Sequence, residues 1–217
     1  MQYPSSIPES LYRATENMRG PAGVEWLNGL PTLISEIEER WSLSTGRPIP
    51  GIWANWVAPA TISNGTPAVL KLCFPREKEF QTEVEALRLF DGRGICRLLR
   101  LDLERGAMLL ERCEPGSSLS SIEDDERATS IAADVLLRLR RPAQIEHNFP
   151  LVSDWARGFE RLRRRYDGET GPMPAALVDG PRRYSRSLCQ PRLNYIFCTE
   201  TFTTTTSCPR GVMGGWR

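Results

Sequence analysis

AVLKLCFPREKEFQTEVEALRLF, residues 68–90, changes its hydrophobic period part-way along. Ala68–Phe74 is an apolar run interrupted by one lysine, which predicts a β-strand, and Pro75 ends that strand because proline cannot donate a ladder hydrogen bond. Lys78–Phe90 then places its apolar residues at helical spacing. The stretch therefore predicts a strand that leads directly into an amphipathic helix.

The lysine inside this predicted strand is Lys71. A charged side chain in an apolar strand needs a partner or a ligand, unless the strand lies at an edge and the ammonium group reaches water. The following helix favours a partner. Glu83 lies three residues after Phe80 and four before Leu87, so it borders the buried stripe. We predict that Glu83 meets Lys71, whereas Glu85 points nearly opposite.

The chain on either side of this stretch predicts a sheet followed by helices. Trp53–Ile62 reads as a strand joined to the next one by a turn at Asn64–Gly65, because both turn residues tolerate positive φ. Further strands are predicted at Arg97–Leu103 and Ala107–Arg112. After a linker at Cys113–Ser118, helical spacing returns at 122–140 and 153–166. The order indicates an α+β fold.

Composition limits the classes of function. The chain has 217 residues, of which 28 are basic and 27 acidic. A balanced charge argues against a general nucleic-acid or membrane-surface binder, which needs a net basic field. No stretch approaches the roughly 18 apolar residues of a membrane span, and no signal pattern opens the chain, so we expect a cytoplasmic protein. Cys73, Cys96 and Cys113 lack C-x-x-C spacing, which makes zinc improbable.

The end of the chain, FCTETFTTTTSCPRGVMGGWR from Phe197 to Arg217, shows neither helical nor strand periodicity. Threonine codons are ACN, so a threonine run read one base early, from the third base of each codon, gives NAC codons, which encode His, Tyr, Asn or Asp. Joining the third base of each codon to the first two of the next allows the string LHGDLHHYNILSSRRDGWLA. Cys198 followed by Thr199, for example, gives only His or Tyr. We interpret the tail as an out-of-frame reading that begins near residues 184–187, and we expect no regular structure in 185–217.

These motifs together resemble one family. The sequence VLK at 69–71, the glutamate twelve residues on within EVEALRLFDGRG, and MLLER at 108–112 followed by EPG are similar to the aminoglycoside/hydroxyurea phosphotransferases, especially the streptomycin phosphotransferase branch. The decoded HGDLHH string resembles the catalytic loop of the same family. The resemblance implies a protein-kinase-like N-lobe at 1–113, with an antiparallel sheet and one helix, and a truncated, mainly helical C-lobe at 114–184.

The resemblance also implies a reaction and a nucleotide site. The family transfers the γ-phosphate of ATP to a hydroxyl group of a small-molecule aminoglycoside such as streptomycin, which inactivates the antibiotic. Lys71 would be the phosphate-binding lysine and Glu83 its partner. The hinge that binds adenine through its backbone would be Glu111, Arg112 and Cys113. Gly51 would lie in the phosphate-covering loop, although the adjoining Ile52 and Trp53 are bulky for that role.

The catalytic half of the family's site is missing from the amino-acid sequence. In the family, the HGD aspartate, an asparagine beyond it and a later aspartate supply the base and the Mg²⁺ ligands. No such motif occurs here, so we expect no catalytic residue, no metal ligand and no useful kinase turnover. A non-catalytic remnant that binds a nucleotide or a partner protein is the alternative. His147 is interpreted as a surface residue because no nucleophile motif accompanies it.

Overall fold

The computed structural model describes residues 7–52, 54–142, 149–150, 152–180 and 195–196, which fall into two compact units. The first unit, up to residue 139, contains α1 (Glu9–Trp41), β1 (Leu43–Thr45), β2 (Trp56–Ile62), β3 (Pro67–Leu72), α2 (Lys78–Phe90), β4 (Leu98–Asp102), β5 (Ala107–Glu111) and α3 (Asp125–Leu139). The second contains β6 (Arg141–Pro142), α4 (Val152–Arg165) and β7 (Tyr195–Ile196).

The sheet of the first unit has five strands in the order β1-β2-β3-β5-β4, and every neighbouring pair is antiparallel. The turn between β2 and β3 lies at the predicted Asn64–Gly65. Gly65 has φ +85°, and Asn64 Oδ1 accepts a hydrogen bond of 3.0 Å from the Thr66 N–H. The predicted α+β class and antiparallel sheet are confirmed, and the helix between β3 and β4 makes the order consistent with a kinase-like N-lobe.

Residues of β3 alternate between two covered faces of the sheet. Ala68, Leu70 and Leu72 pack in the cluster that includes the buried residues of α1, whereas Val69 packs with the buried residues of α2. Successive side chains on a strand point to opposite faces, so Lys71 lies on the same face as Val69. Both faces being buried explains why this strand reads as an almost continuous apolar run.

The helix α1 is the largest departure from the sequence-based expectation of a sheet with one helix. It runs over 33 residues and contains a kink at Gly20, whose φ of 58° and ψ of −140° are not helical. Its second half buries residues at spacings of three and four against the sheet: Leu27, Leu30, Ile34, Ile37 and Trp41. Two helices therefore flank the sheet, one on each face.

The helix α2 spans the predicted residues, and Phe80, Val84 and Leu87 are buried as its spacing indicated. Its C-terminal cap is Asp91, in the left-handed region at φ 42°, and Gly92 follows at φ 76°. Beyond β5, the chain passes through a 3₁₀ turn before α3 begins at Asp125. The lobe boundary after residue 113 and the incomplete C-lobe remain predictions.

The second unit is built around α4. Arg163 Nη2 lies 2.7 Å from Asp179 Oδ1, which ties the end of α4 to the helical segment at 175–180. The predicted tail at 185–217 lies outside the described residues except for β7, which pairs with β6. His147 also lies outside them. None of the helices in the described part of the chain combines the length and apolarity needed to cross a membrane.

Gly106 offers a test of how tightly β3 and β5 pack at their ends. Its φ is +67°, and a Cβ at this position would collide with the Cys73 carbonyl oxygen. We expect Gly106→Ala to lose about 1–2 kcal/mol for the left-handed backbone and a further 1–3 kcal/mol or so for the collision. The measurement is urea unfolding at equilibrium.

Gly65→Ala is the matched control for that measurement. Gly65 also has positive φ, at +85°, but a Cβ there would have no atom within 4 Å. It should therefore lose only the backbone contribution. Equal losses of stability in Gly106→Ala and Gly65→Ala would contradict the packing described here.

Candidate nucleotide site

The centre of the site is an ion pair between the sheet and α2. Lys71 Nζ lies 2.6 Å from Glu83 Oε1 and 2.8 Å from Glu83 Oε2, so the contact expected from the helical spacing is present. The strand register places Val57 and Met108 opposite Lys71 on the two neighbouring strands. The aliphatic stem of the lysine thus lies between apolar neighbours, while its ammonium group meets the carboxylate at the surface of α2.

Glu83 keeps the buried ammonium group charged. Lys71 is only 5% exposed, and burial alone would lower its pKa, but the Coulomb attraction and hydrogen bonds of Glu83 outweigh burial and raise the pKa above 10.5. An ammonium group has three donors, and within the described residues two of them are used by Glu83. One N–H is therefore left to bind a ligand oxygen.

The choice of lysine at this position is informative. Of the 28 basic residues, two are lysines, Lys71 and Lys78, and the rest are arginines. Lysine presents a compact point charge, whereas arginine presents a planar fork that matches one carboxylate or phosphate bidentately. A compact ammonium group can bind a carboxylate on one side and a phosphate oxygen on another. The residue type thus fits a site that binds phosphate.

Two thiols near the pair remain neutral. Burial raises the pKa of Cys73 to about 12 and the pKa of Cys96 to about 12. A thiol in that state behaves as a small apolar side chain rather than as a nucleophile or metal ligand. Both cysteines pack in the cluster that includes Phe80 and Met108. The lining near the ion pair is therefore apolar, which strengthens the electrostatic interactions inside it.

The predicted hinge residues differ in what their backbones can offer. The Glu111 N–H donates to Arg97 O at 2.9 Å, and Glu111 Oε2 accepts from the Arg97 N–H at 3.2 Å. The Glu111 N–H is thus occupied by the sheet. Arg112 and Cys113 follow the strand, and within the described residues neither backbone N–H has a hydrogen-bond partner. The N–H groups of Arg112 and Cys113 are therefore the hinge donors that an adenine ring could use.

The loop that holds Gly51 connects β1 and β2, and its role as a phosphate-covering loop remains a prediction. Its first part is attached to β2, since the Gly46 N–H donates to Pro59 O and the Ile49 N–H to Val57 O, each at 2.8 Å. Gly51 has φ +80° and open space around it. Ile52 is buried instead of facing a ligand. Trp53 lies outside the described residues.

The described residues contain no cluster of three or more metal-binding side chains. Across 7–52, 54–142, 149–150, 152–180 and 195–196, no three carboxylate, imidazole or thiol side chains come together as a metal centre would require. The carboxylate of Glu83 is already engaged by Lys71.

Comparison with known proteins identifies the family. A family model described as aminoglycoside/hydroxyurea antibiotic resistance kinase matches residues 40–188. The chain belongs to this family. The match contains the whole five-stranded sheet and both members of the ion pair. The predicted resemblance is thereby confirmed, and the roles of the six predicted site residues remain proposals.

Individual members of the family give the same assignment. The chain is 38% identical over 133 residues to streptomycin 6-kinase of Streptomyces glaucescens and 37% identical over 133 residues to that of Streptomyces griseus, in each case 61% of this chain and 43% of the relative. It is 41% identical over 135 residues to hydroxyurea phosphotransferase of Kitasatospora aureofaciens, which is 61% of this chain and 39% of that protein. The chain thus spans about two fifths of the relatives it matches.

Sequence reasoning missed Arg19, whose side chain is 9% exposed and binds Glu77. One signal was present. Leu11, Thr15 and Arg19 recur every four residues, and the first two are fully buried, so helical spacing alone places Arg19 next to the core. The partner could not be found in the same way because Glu77 is 58 residues away.

The two lysines allow a direct test of the ion pair. Glu83 raises the pKa of Lys71. The contribution of the ion pair to stability is therefore constant through neutral pH and is lost only as the pH rises above 10.5. At pH 8 to 9 an N-hydroxysuccinimide ester should acylate the exposed Lys78 and spare Lys71. In Glu83→Gln the buried lysine loses its carboxylate and its pKa falls, so its acylation should rise by up to about tenfold for each unit of the fall.

Peptide mass spectrometry gives the ratio of modified Lys71 to modified Lys78 within one molecule, so Lys78 serves as the internal reference. Equal acylation of the two lysines in the native wild type would contradict the burial and pairing of Lys71.

Proposed function

We propose that this chain binds ATP and represents the nucleotide-binding part of a phosphotransferase whose acceptor is a hydroxyl group of an aminoglycoside such as streptomycin. The observation that carries the proposal is the buried pair of Lys71 and Glu83. In kinases, a strand lysine held by a helix glutamate binds the α- and β-phosphates. Here Glu83 fixes the position of the ammonium group and leaves one donor for a phosphate oxygen.

The adenine ring would lie at the end of β5. The N–H groups of Arg112 and Cys113 are the donors that we assign to the base, and Glu111 completes the hinge. Gly51 would allow the β1–β2 loop to approach the phosphates, since its positive φ suits glycine and no other residue lies within 4 Å of the position a Cβ would take. The neutral Cys96 belongs to the apolar cluster next to the ion pair.

The names of the relatives support a small-molecule acceptor. Two are named for streptomycin and one for hydroxyurea. Both compounds carry a hydroxyl group that can attack a phosphoryl group, so both names are compatible with a hydroxyl acceptor. We further propose a cytoplasmic protein that acts on such small molecules without nucleic acid or membrane as partner, in keeping with a formal net charge of +1.

We propose that the chain binds nucleotide without turning it over. Phosphoryl transfer needs a carboxylate to orient the acceptor hydroxyl and Mg²⁺ to bridge the phosphates. The printed sequence contains no His-Gly-Asp motif, and its one histidine is His147. The family match ends at residue 188, close to the predicted loss of frame near 184–187, which supports an out-of-frame tail at 185–217. Loss of the base alone lowers a rate by about 10²- to 10⁴-fold.

Nucleotide binding is tested by thermal unfolding with and without ATP. With ATP at about 100 times its Kd, the Tm of the wild type should rise by roughly 5–10 °C. Lys71→Met keeps the aliphatic stem and removes the charge, so the rise should disappear. Lys78→Met is the matched control, because Lys78 is the exposed second lysine, and it should keep the full rise.

Each variant is compared with its own Tm in the absence of ATP, which separates binding from intrinsic stability. The same rise in Lys71→Met as in the wild type would contradict the proposed phosphate contact, and no rise in the wild type at millimolar ATP would contradict nucleotide binding.

The out-of-frame tail is tested on the gene. We expect codons 184–217, read in the frame that joins the third base of each codon to the first two bases of the next, to encode the HGDLHHYN string and to continue without a stop into further sequence of the same family. The measurement is nucleotide sequencing through and beyond these codons. A stop codon in the alternate frame within this stretch would rule out the interpretation.

A further inference from the structure

The connection between β3 and α2 determines how Lys71 and Glu83 meet. The two residues are twelve positions apart on one strand, one short turn and one helix. Arg76, within the turn, has φ +64°, a backbone conformation that side chains other than glycine rarely adopt. A turn in this conformation persists only when its surroundings hold it. Movement of the turn would carry Glu83 away from the lysine.

The last residue of the turn, Glu77, is held by the other helix. Arg19 Nε donates to Glu77 Oε1 at 2.7 Å, and Arg19 Nη2 donates to Glu77 Oε2 at 2.8 Å. This two-point geometry is the strongest that an arginine makes with a carboxylate. Glu77 is also the N-cap residue of α2, but its side chain makes no capping bond. The carboxylate is directed to α1 and not to its own helix.

The first part of the turn is held by the same region of α1. The Arg19 guanidinium carbon lies 5.2 Å from the centre of the Phe74 ring, within the range of a cation–π contact. Trp26 meets the same ring edge-on at a centroid distance of 5.9 Å and an angle of 71°. Arg19 immediately precedes the kink at Gly20. Both ends of the β3–α2 turn are thus fixed to the kinked part of α1.

We propose that Arg19 is a positioning residue for the nucleotide site. Through Glu77 and Phe74 it fixes the start of α2, and the orientation of α2 in turn fixes Glu83 against Lys71. The consequence for nucleotide affinity rests on the proposed function. The consequence for the ion pair does not, because it concerns only the contacts between α1, the turn and α2.

The test measures the acylation of Lys71 in variants whose substitutions lie away from this lysine. Arg19→Met and Glu77→Gln should each raise the acylation of Lys71 relative to Lys78 by about 2- to 30-fold at pH 8, the range that changes in a packed network produce at a distant site. Arg13→Met is the matched control. Arg13 pairs with Glu9 on the same helix at 2.6 Å, but its side chain is 69% exposed, so the ratio should not change.

A purely structural role for Arg19 predicts a different pattern. Leu30→Ala removes a fully buried side chain from α1 and lowers stability without touching the turn. Urea is added to bring wild type and variants to the same residual stability. At that point Leu30→Ala should match the wild-type ratio, and Arg19→Met should exceed it. An equal rise in Leu30→Ala, or no rise in folded Arg19→Met, overturns the proposal.

Two further measurements keep the outcome decisive. If Arg19→Met does not fold, Glu77→Gln and Arg19→Lys carry the test, because lysine keeps the charge but loses the two-point geometry and should give a smaller rise. If the wild type binds ATP, Arg19→Met should weaken binding by a similar 2- to 30-fold or so, and Arg13→Met should not. If the wild type does not bind ATP, the proposed function fails, while the lysine ratio still decides the positioning role.

Discussion

An ammonium group buried on one face of a β-sheet imposes the strongest physical constraint on this protein. Lys71 lies between apolar neighbours on adjacent strands, where an unpaired charge would cost far more than one hydrogen bond returns. Glu83 must therefore stay within hydrogen-bonding distance, which fixes the rotation of α2 and the length of the turn before it. Removing one partner of such a pair typically costs about 3–5 kcal/mol of stability, yet replacing both partners by apolar residues often leaves stability unchanged. Stability alone thus explains the pair poorly. The proposed phosphate contact would give the charge of Lys71 a use.

The two faces of the sheet differ because only one of them carries this charge. The centre of the face covered by α1 is apolar, and small residues such as Ala58, Ala60 and Ala68 let the helix approach closely. The face covered by α2 combines Lys71 with Cys73 and Met108, so it is both packed and polar at one point. One helix accordingly supplies hydrophobic burial, while the other supplies a partner for the lysine. The period-2 alternation along β3 separates these two roles by a single residue.

Sequence alone was sufficient wherever the determining contacts are local. The β2–β3 turn, the limits of α2 and the pairing of Lys71 with Glu83 all follow from periodicity and spacing within about 30 residues. Sequence was insufficient to predict the full length of α1, because Gly20 and Pro21 interrupt the pattern that would identify one long helix. Sequence was also insufficient for the hinge, because the Glu111 N–H donates to Arg97, which precedes β4, and the local sequence does not specify how β4 pairs. Arg19 and Glu77 lie 58 residues apart, so no local pattern predicts that they pair.

The family match and the physical unit do not coincide. The match begins at residue 40, in the last turn of α1, so nearly all of that helix lies outside it. Without α1, the face of the sheet that contains Trp56, Leu70 and Leu109 would be exposed to water, at roughly 25 cal/mol for each Å² of apolar surface. The same helix holds Glu77 and Phe74 at the start of α2. The segment that carries the family's residues is therefore stable, and geometrically defined, only together with a helix that the family match does not contain.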